Sequence, residues 1–469
     1  VERIRWIGGK NSGNGGIAVE EYLKILSEQI RYKKALPAIE DEIRVHLQEQ
    51  AEVNRSLGMD EEKAMQLAVK DMGDPVETGV KLDRIHRPQM AWDMIALMAI
   101  VAVISIVIHI AIGLGAEEIA HKTQKDYILS ATSCIGIGFL GMLLVYRLDY
   151  SILAGKEKLA ALLFLTAFTV NILFTGITLN GSSGYGKIGP VLLSPVYLMF
   201  LYAPLYGAVL YRYRGTGFKG LGSVLLFLFY PVWLACKIPS ISLAGSLLLI
   251  LSVMFSAAVW KGWFTVPKKI ALGIYWGLLA FTPLGIAALL INGVRLSFLP
   301  VYQQDRILYF MQNYSASNSY VGKAILDNLK NCRLFGTGND TAGSLPDYYS
   351  DYILTFLSGY YGLVAAITLC LLLCLVAAKA FRIAFTQKNQ LGMMMGFGSG
   401  LTLFINTLLN IGENFGLFPV TATFLPFFSY TGTGIAVSYL LAGIILSVYR
   451  YKNLNIEYFT VPKTDVSMN

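Results

Sequence analysis

Charge is scarce in this sequence. Only 14% of its 469 residues are Asp, Glu, Lys or Arg, whereas 55% are hydrophobic, and the mean hydropathy of +0.55 lies outside the range of soluble domains. That composition describes a polytopic membrane protein. The net charge of +8 includes no basic run with interleaved aromatics, and no zinc-finger spacing occurs, so nucleic-acid binding is excluded. No Walker sequence, dinucleotide fingerprint or serine acylation motif is present, which leaves ATP hydrolysis, NAD chemistry and acyl-enzyme transpeptidation without visible machinery. No span between 92 and 292 carries an obvious acid pair, which weakens a proton-coupled transporter. Cysteine is nearly absent as well: of five, four lie in apolar stretches and Cys332 has no obvious partner. Cys370 and Cys374 share a helix face, where apolar packing outweighs metal binding because no His or acid completes a site.

The start, VERIRWIGGKNSGNGG, has neither the apolar core nor the cleavage site of a signal peptide, and residues 1–17 read as a flexible extension. Residues 18–88 read as a small helical unit. Val19, Leu23, Leu26 and Ile30 form one apolar stripe, and Leu36, Ile39, Ile43 and Leu47 a second. A third segment, Asp60 to Met72, ends at Gly73-Asp74-Pro75, where proline can open the next helix. The phrases HLQEQ, GMDEEKAMQLAVKDMGDP and KLDRIHRP resemble the prefix domain found ahead of various bacterial membrane proteins. An accessory role, with an unknown cytoplasmic partner or through self-association, is the expectation.

Ten hydrophobic spans follow, at approximately 92–115, 128–147, 158–179, 189–211, 220–236, 241–260, 269–292, 351–378, 391–411 and 432–450. The expected fold is therefore all-α: a membrane bundle of about ten helices over 92–452, with a helical cytoplasmic domain before it and a tail over 453–469. Alternate connections collect Lys81, Arg84 and Arg87, then Arg147, Lys156 and Lys158, then Arg212, Arg214 and Lys219. Lys261, Lys268 and Lys269, then Lys379, Arg382 and Lys388, then Arg450 and Lys452 continue that set. The positive-inside rule puts this side, and both termini, in the cytoplasm. The loop 293–350 is then extracytoplasmic, and its length and polarity suit a substrate-facing segment better than a plain connector.

Asp351 opens the eighth span in LPDYYSDYILTFLSGYYG. As an interface N-cap it would accept helix amide protons; facing a cavity, it would be an intramembrane carboxylate with a task. Glu413 follows the ninth span, ahead of a loop with Pro419, Pro426, Gly432 and Gly434. Asn406, Asn410 and Asn414 recur at four-residue spacing, a polar stripe that suits either helix-to-helix bonding or a cavity wall. Arg306 is the leading cation of the long loop for a phosphorylated group, with pairing to Asp305 or Asp347 as the alternative.

The phrases LPDYYSDYILTFLSGYYG and NIGENFGLFPVTATFLPFFSYTGTG resemble two signature segments of the SEDS family, the FtsW/RodA/SpoVE class of shape, elongation, division and sporulation proteins. GPVLLSP at 189–195 and VYQQDRI are fainter echoes of other family phrases. The resemblance implies a ten-span fold and a peptidoglycan glycosyltransferase that polymerises lipid II and releases undecaprenyl pyrophosphate. By the same resemblance Asp351 falls on the catalytic aspartate, Arg306 on a loop arginine, and Pro419, Pro426, Ser429 and Tyr430 on the signature outer loop. Lys323, Asn410 and Glu413 complete the expected substrate contacts. A divalent cation, Mg²⁺ or Mn²⁺, or the Arg306 and Lys side chains would offset pyrophosphate charge, and a class B penicillin-binding transpeptidase would be the partner. The sequence departs from the family at Tyr349, where His is usual, at Ser350, where Thr is usual, and at Gly359-Tyr360-Tyr361-Gly362, where two acids are usual. A lipid-linked precursor flippase and a non-catalytic scaffold of a wall-synthesis complex remain the competing readings.

Overall fold

The computed structural model describes residues 14–115, 118–119, 122–174, 178–179, 182–183, 186–188, 191–238, 241–294, 296, 304, 320–336, 345–417 and 423–453. The chain divides into two compact units, Val1–Gln89 with Tyr451–Asn469, and Met90–Arg450.

In the first unit four helices pack around one apolar core: α1 (Asn14–Gln29), α2 (Leu36–Ser56), α3 (Glu61–Asp71) and α4 (Pro75–His86). Val19, Leu23, Leu26 and Ile30 of the first stripe meet Ile39, Ile43 and Leu47 of the second, and Tyr22, Ala51 and Ala68 close the cluster. Polar bonds finish the corners. Asn54 Nδ2 donates to Ala64 O at 3.1 Å across the α2–α3 turn, and the Asp74 carboxylate caps α4 through Val76 N at 3.0 Å. Arg44 forks onto Glu20 at 2.7 and 3.0 Å on the surface, a pair worth little in water.

The second unit is a helical membrane bundle. Among the described residues nine helices are long and apolar enough to cross a bilayer: α5 (Trp92–Leu114), α6 (Gln124–Arg147), α7 (Glu157–Phe174), α10 (Phe218–Lys237), α11 (Ile241–Trp260), α12 (Lys268–Ile291), α15 (Leu363–Phe385), α16 (Gln390–Asn414) and α17 (Gly432–Arg450). Between α7 and α10 runs a buried helical segment, α8 (Pro195–Leu198), a 3₁₀ turn over Met199–Leu201 and α9 (Tyr202–Arg212). It replaces the span expected at 189–211. Helix begins only at Pro195, because Val191–Leu193 pairs in a short ladder with Gly186–Ile188 and Ser194 N is held by Thr433 Oγ1 at 3.0 Å.

Lipid is as apolar as leucine, so helices in a membrane associate through close packing and polar bonds. Both are visible. A Cβ on Gly443 of α17 would meet Met142 O at 2.8 Å, and one on Gly207 of α9 would meet Met394 O at 2.7 Å, so glycine lets these backbones touch. On the outer helices Leu129, Ile137, Leu140 and Leu144 stay exposed on one flank of α6, the surface a bilayer would cover.

The eighth span differs from expectation. Instead of one helix from 351, a short helix α14 (Ile353–Tyr360) is separated from α15 by a break at Gly362, whose φ of +95° suits glycine. The residues that follow α13 (Tyr320–Asn331) bond the exposed backbone of the break. Gly336 N donates to Tyr361 O, Leu363 N to Arg333 O and Val364 N to Leu334 O, at 2.9 to 3.2 Å. Irregular backbone is tolerated there because protein, rather than lipid, satisfies it.

Candidate active site

The site is built at the end of the bundle opposite the Lys- and Arg-rich connections. Asp351 stands on the turn ahead of α14 and outside the spanning helices. It is not the helix cap that its position suggests: α14 starts at Ile353 after Tyr352, with no side-chain cap. The amide that a cap would serve, Thr355 N, donates to Asn414 Oδ1 at 3.0 Å, and Thr355 Oγ1 donates to the same oxygen at 2.8 Å. The Asp351 carboxylate is therefore left to other work.

The asparagine stripe of α16 holds the turn by its backbone. Asn410 Nδ2 and Asn414 Nδ2 each donate to Asp351 O at 2.9 Å, and Asn410 Nδ2 also donates to Thr423 O at 2.6 Å. Among the described residues Asn406 bonds only back to Thr402 O in its own helix, at 2.9 Å. Glu413, one residue before Asn414, is 1% exposed, and its Oε2 accepts from Thr423 N at 3.1 Å and Thr423 Oγ1 at 2.7 Å. Its carboxylate anchors the start of the following loop.

That loop closes over Asp351 from the other side. Ser429 Oγ accepts from Leu425 N at 2.6 Å and donates to Ser350 O at 3.0 Å, and Tyr430 N donates to Tyr349 O at 3.3 Å. Phe427 sits at φ +70°, a strained region for an aromatic residue, and two side chains of α5 hold the carbonyls beside it. Ser105 Oγ donates to Phe427 O and His109 Nε2 bonds Phe428 O, both at 2.8 Å. A carbonyl only accepts, so Nε2 carries the hydrogen, and Nδ1 of the neutral ring accepts from Tyr127 O–H at 2.8 Å.

Asp351 is 9% exposed against 1% for Glu413, so of the two acids it is the less enclosed. Burial, then the charges of Glu413 and Asp347, push its carboxyl up to about 7, against the pull of the Ser350 hydroxyl at 3.3 Å. Near neutrality such a carboxylate takes a proton well, the property a general base needs. Tyr349 is pushed up to about 12 by burial and by Asp347, and its O–H donates to Asp347 Oδ1 at 3.1 Å. It can orient Asp347 but cannot accept a proton at neutral pH.

The expected residues thus divide. Asp351, Asn410, Glu413, Ser429 and Tyr430 converge in one bonded cluster. Lys323 does not join it through any bond; it is exposed on α13, which packs by Ile325 against Leu345 and Tyr352. Arg306 and Pro419 lie outside the described residues. Among the described residues no three His, Cys, Asp or Glu side chains gather to hold a metal ion, and Glu413 is already bonded to Thr423. Sequence reasoning passed over His109, Tyr127 and Lys122. The available signal was one ionisable residue within the apolar run IVIHIAIGL, which at membrane depth needs partners.

These features define a multi-pass α-helical membrane protein with a buried carboxyl, Asp351, set into one end of its bundle. The family model described as cell cycle protein, covering FtsW, RodA and SpoVE, matches residues 89–454. The chain belongs to that FtsW/RodA/SpoVE family. A probable peptidoglycan glycosyltransferase FtsW of Enterococcus hirae is 26% identical over 344 residues, 69% of this chain and 83% of that protein. One of the same description from Aromatoleum aromaticum is 24% identical over 398 residues, 79% of this chain and 92% of its own. In fold, the chain is similar to one solved in "Structural coordination of polymerization and crosslinking by a peptidoglycan synthase complex". The TM-score is 0.61 at 20% identity, over 77% of this chain and 98% of that one.

Proposed function

We propose that this protein is a peptidoglycan glycosyltransferase that polymerises lipid II at the outer face of the cytoplasmic membrane. The observation that carries the reading is the Asp351 carboxyl, pushed up to about 7 by burial and nearby acids, on a turn whose backbone carbonyl Asn410 and Asn414 hold. The naming of the E. hirae and A. aromaticum relatives supports it. In the reaction the acceptor sugar's 4-hydroxyl oxygen attacks the donor's anomeric carbon. Its proton passes to Asp351, the bond from that carbon to the pyrophosphate oxygen breaks, and undecaprenyl pyrophosphate leaves. A divalent cation, Mg²⁺ or Mn²⁺, would supply positive charge to offset that of the departing pyrophosphate.

The Lys- and Arg-rich connections lie at the helix ends opposite Asp351, and the positive-inside rule supports a cytoplasmic side there, which would leave Asp351 toward the outer leaflet. The proposed partner is a class B penicillin-binding transpeptidase, which would cross-link the glycan in wall construction during growth, division or spore formation. The synthase-complex setting of the structural neighbour supports that pairing. The deciding experiment is lipid II polymerisation in nanodiscs by wild type and Asp351→Asn, with and without Mg²⁺ or Mn²⁺ and with the transpeptidase. Polymer from folded Asp351→Asn at the wild-type rate would remove the mechanism, and lipid II flipping without polymer would favour a transporter.

A further inference from the structure

Lys122, on the short connection between α5 and α6, makes a contact set that the proposed chemistry has not used. Its Nζ donates to Tyr430 O–H at 2.9 Å and to Ser130 Oγ at 3.0 Å, and lies 5.5 Å from the Tyr430 ring centre. Tyr430 O–H donates in turn to Ser130 Oγ at 2.9 Å. All the acceptors are neutral hydroxyls. Among the described residues no carboxylate pairs with this ammonium, and Asp126 accepts from Thr123 Oγ1 at 2.7 Å. An ammonium has three N–H donors and here spends two on groups that can themselves rotate and donate.

We infer that Lys122, Ser130 and Tyr430 form a subsite for the phosphate of a lipid-linked diphosphate. This rests on the glycosyltransferase reading and deepens it. A cation flanked by two reorientable hydroxyls matches a phosphate, which accepts from all three, and charge-assisted bonds of this kind exceed neutral ones about twofold in strength. The placement is coupled to the base. Tyr430 N is bonded to Tyr349 O, two residues before Asp351, and the Tyr349 and Tyr430 rings lie 6.0 Å apart. The Tyr127 ring, fixed through His109, lies 4.7 Å from that of Tyr430 and steadies it from behind. A donor bound here would have its diphosphate beside Lys122 and the anomeric carbon that bears it toward Asp351. The departing negative charge would then be received by a fixed cation, the assistance that a leaving pyrophosphate needs.

The test uses the full chain in phosphatidylcholine nanodiscs, with undecaprenyl pyrophosphate, inorganic pyrophosphate and phosphatidylglycerol as separate probes, alongside polymerisation kinetics. Lys122→Ala should weaken undecaprenyl pyrophosphate binding about tenfold and raise the KM for lipid II, while Lys122→Arg stays within about threefold of wild type. Lys122→Gln, which keeps a hydrogen-bonding head without charge, should resemble Lys122→Ala; both should elute and melt as wild type because the side chain is exposed. Undecaprenyl pyrophosphate binding within about twofold of wild type for both neutral variants would overturn the assignment. Equal competition by phosphatidylglycerol would also overturn it, by reducing the site to a general contact for anionic lipid. The two readings fail separately: Lys122-dependent binding by a protein that makes no polymer keeps the subsite and removes the polymerase, and the reverse result does the opposite.

Discussion

The helical unit ahead of the bundle and the Asp351 end of the bundle are both stabilised by contacts between helices, yet by opposite means. In the first, buried Val, Leu and Ile meet along stripes, and ion pairs such as Arg44–Glu20 and Lys81–Glu77 lie outside that core. In the second, Asn410, Glu413, Asn414, Thr355 and Ser429 are buried and bond to one another and to backbone. Water drives apolar surface together and makes exposed polar pairs nearly worthless. A bilayer offers no such drive, so specificity within it falls to small residues and satisfied polar groups.

The sharpest way to break that comparison is to substitute Asp351, whose carboxylate bonds only the neighbouring Ser350 hydroxyl among the described residues. Asp351→Asn should lower polymerisation by about 10²- to 10⁴-fold, the range for losing a general base, without loss of the folded state. A parallel loss of monodisperse protein would return Asp351 to a structural role. In the first unit Leu26→Ala should cost about 2–5 kcal/mol locally, because its side chain is fully buried. Hydrogen exchange on the full chain should then rise across 14–89 and stay unchanged at α16. Next comes Asn414→Ala, which leaves Thr355 N without its acceptor, Thr355 Oγ1 with only the Asn414 backbone carbonyl at 3.2 Å, and Asp351 O with one donor fewer. About 1–3 kcal/mol per orphaned group predicts a lower Tm in detergent, together with reduced polymerisation as the Asp351 turn loosens.

The same contrast explains what could be read in advance. Stripes such as Val19, Leu23, Leu26 and Ile30 are local patterns with helical spacing, so the first unit's core was legible residue by residue. Asp351, Ser429 and Tyr430 were legible through a motif, and the asparagine spacing pointed to a polar helix face without saying what it held. The break at Gly362 was not legible, because it depends on Arg333, Leu334 and Gly336 from a distant loop bonding the bare backbone. His109 was passed over for a related reason: its partner Phe428 lies 319 positions away, and nothing local marks a histidine as a holder of a loop carbonyl. Hydrophobic periodicity is written in neighbouring residues, whereas a buried polar bond is written in two places at once.

Glu413→Gln gives the smallest and most discriminating change. The amide oxygen can still accept from Thr423 O–H, so the loop anchor survives, but the negative charge that helps hold the Asp351 carboxyl at about 7 is gone. Asp351 becomes more acidic, and the rising limb of the activity profile should move from about 7 toward lower pH, with polymer still made at neutral pH. Stability should change with the matching sign. A carboxyl with a raised folded-state pKa binds its proton more tightly when folded, so wild type loses stability as pH rises from the usual Asp range to about 7. That loss should shrink in Glu413→Gln and vanish in Asp351→Asn, so that Asp351→Asn melts higher than wild type at pH 8 and the gap narrows toward pH 4. An activity limb that stays in place while Tm falls at every pH would make Glu413 a loop anchor and nothing more. A limb that moves without a change in the fold would show that the bundle uses a buried charge to tune a second one, which no apolar core can do.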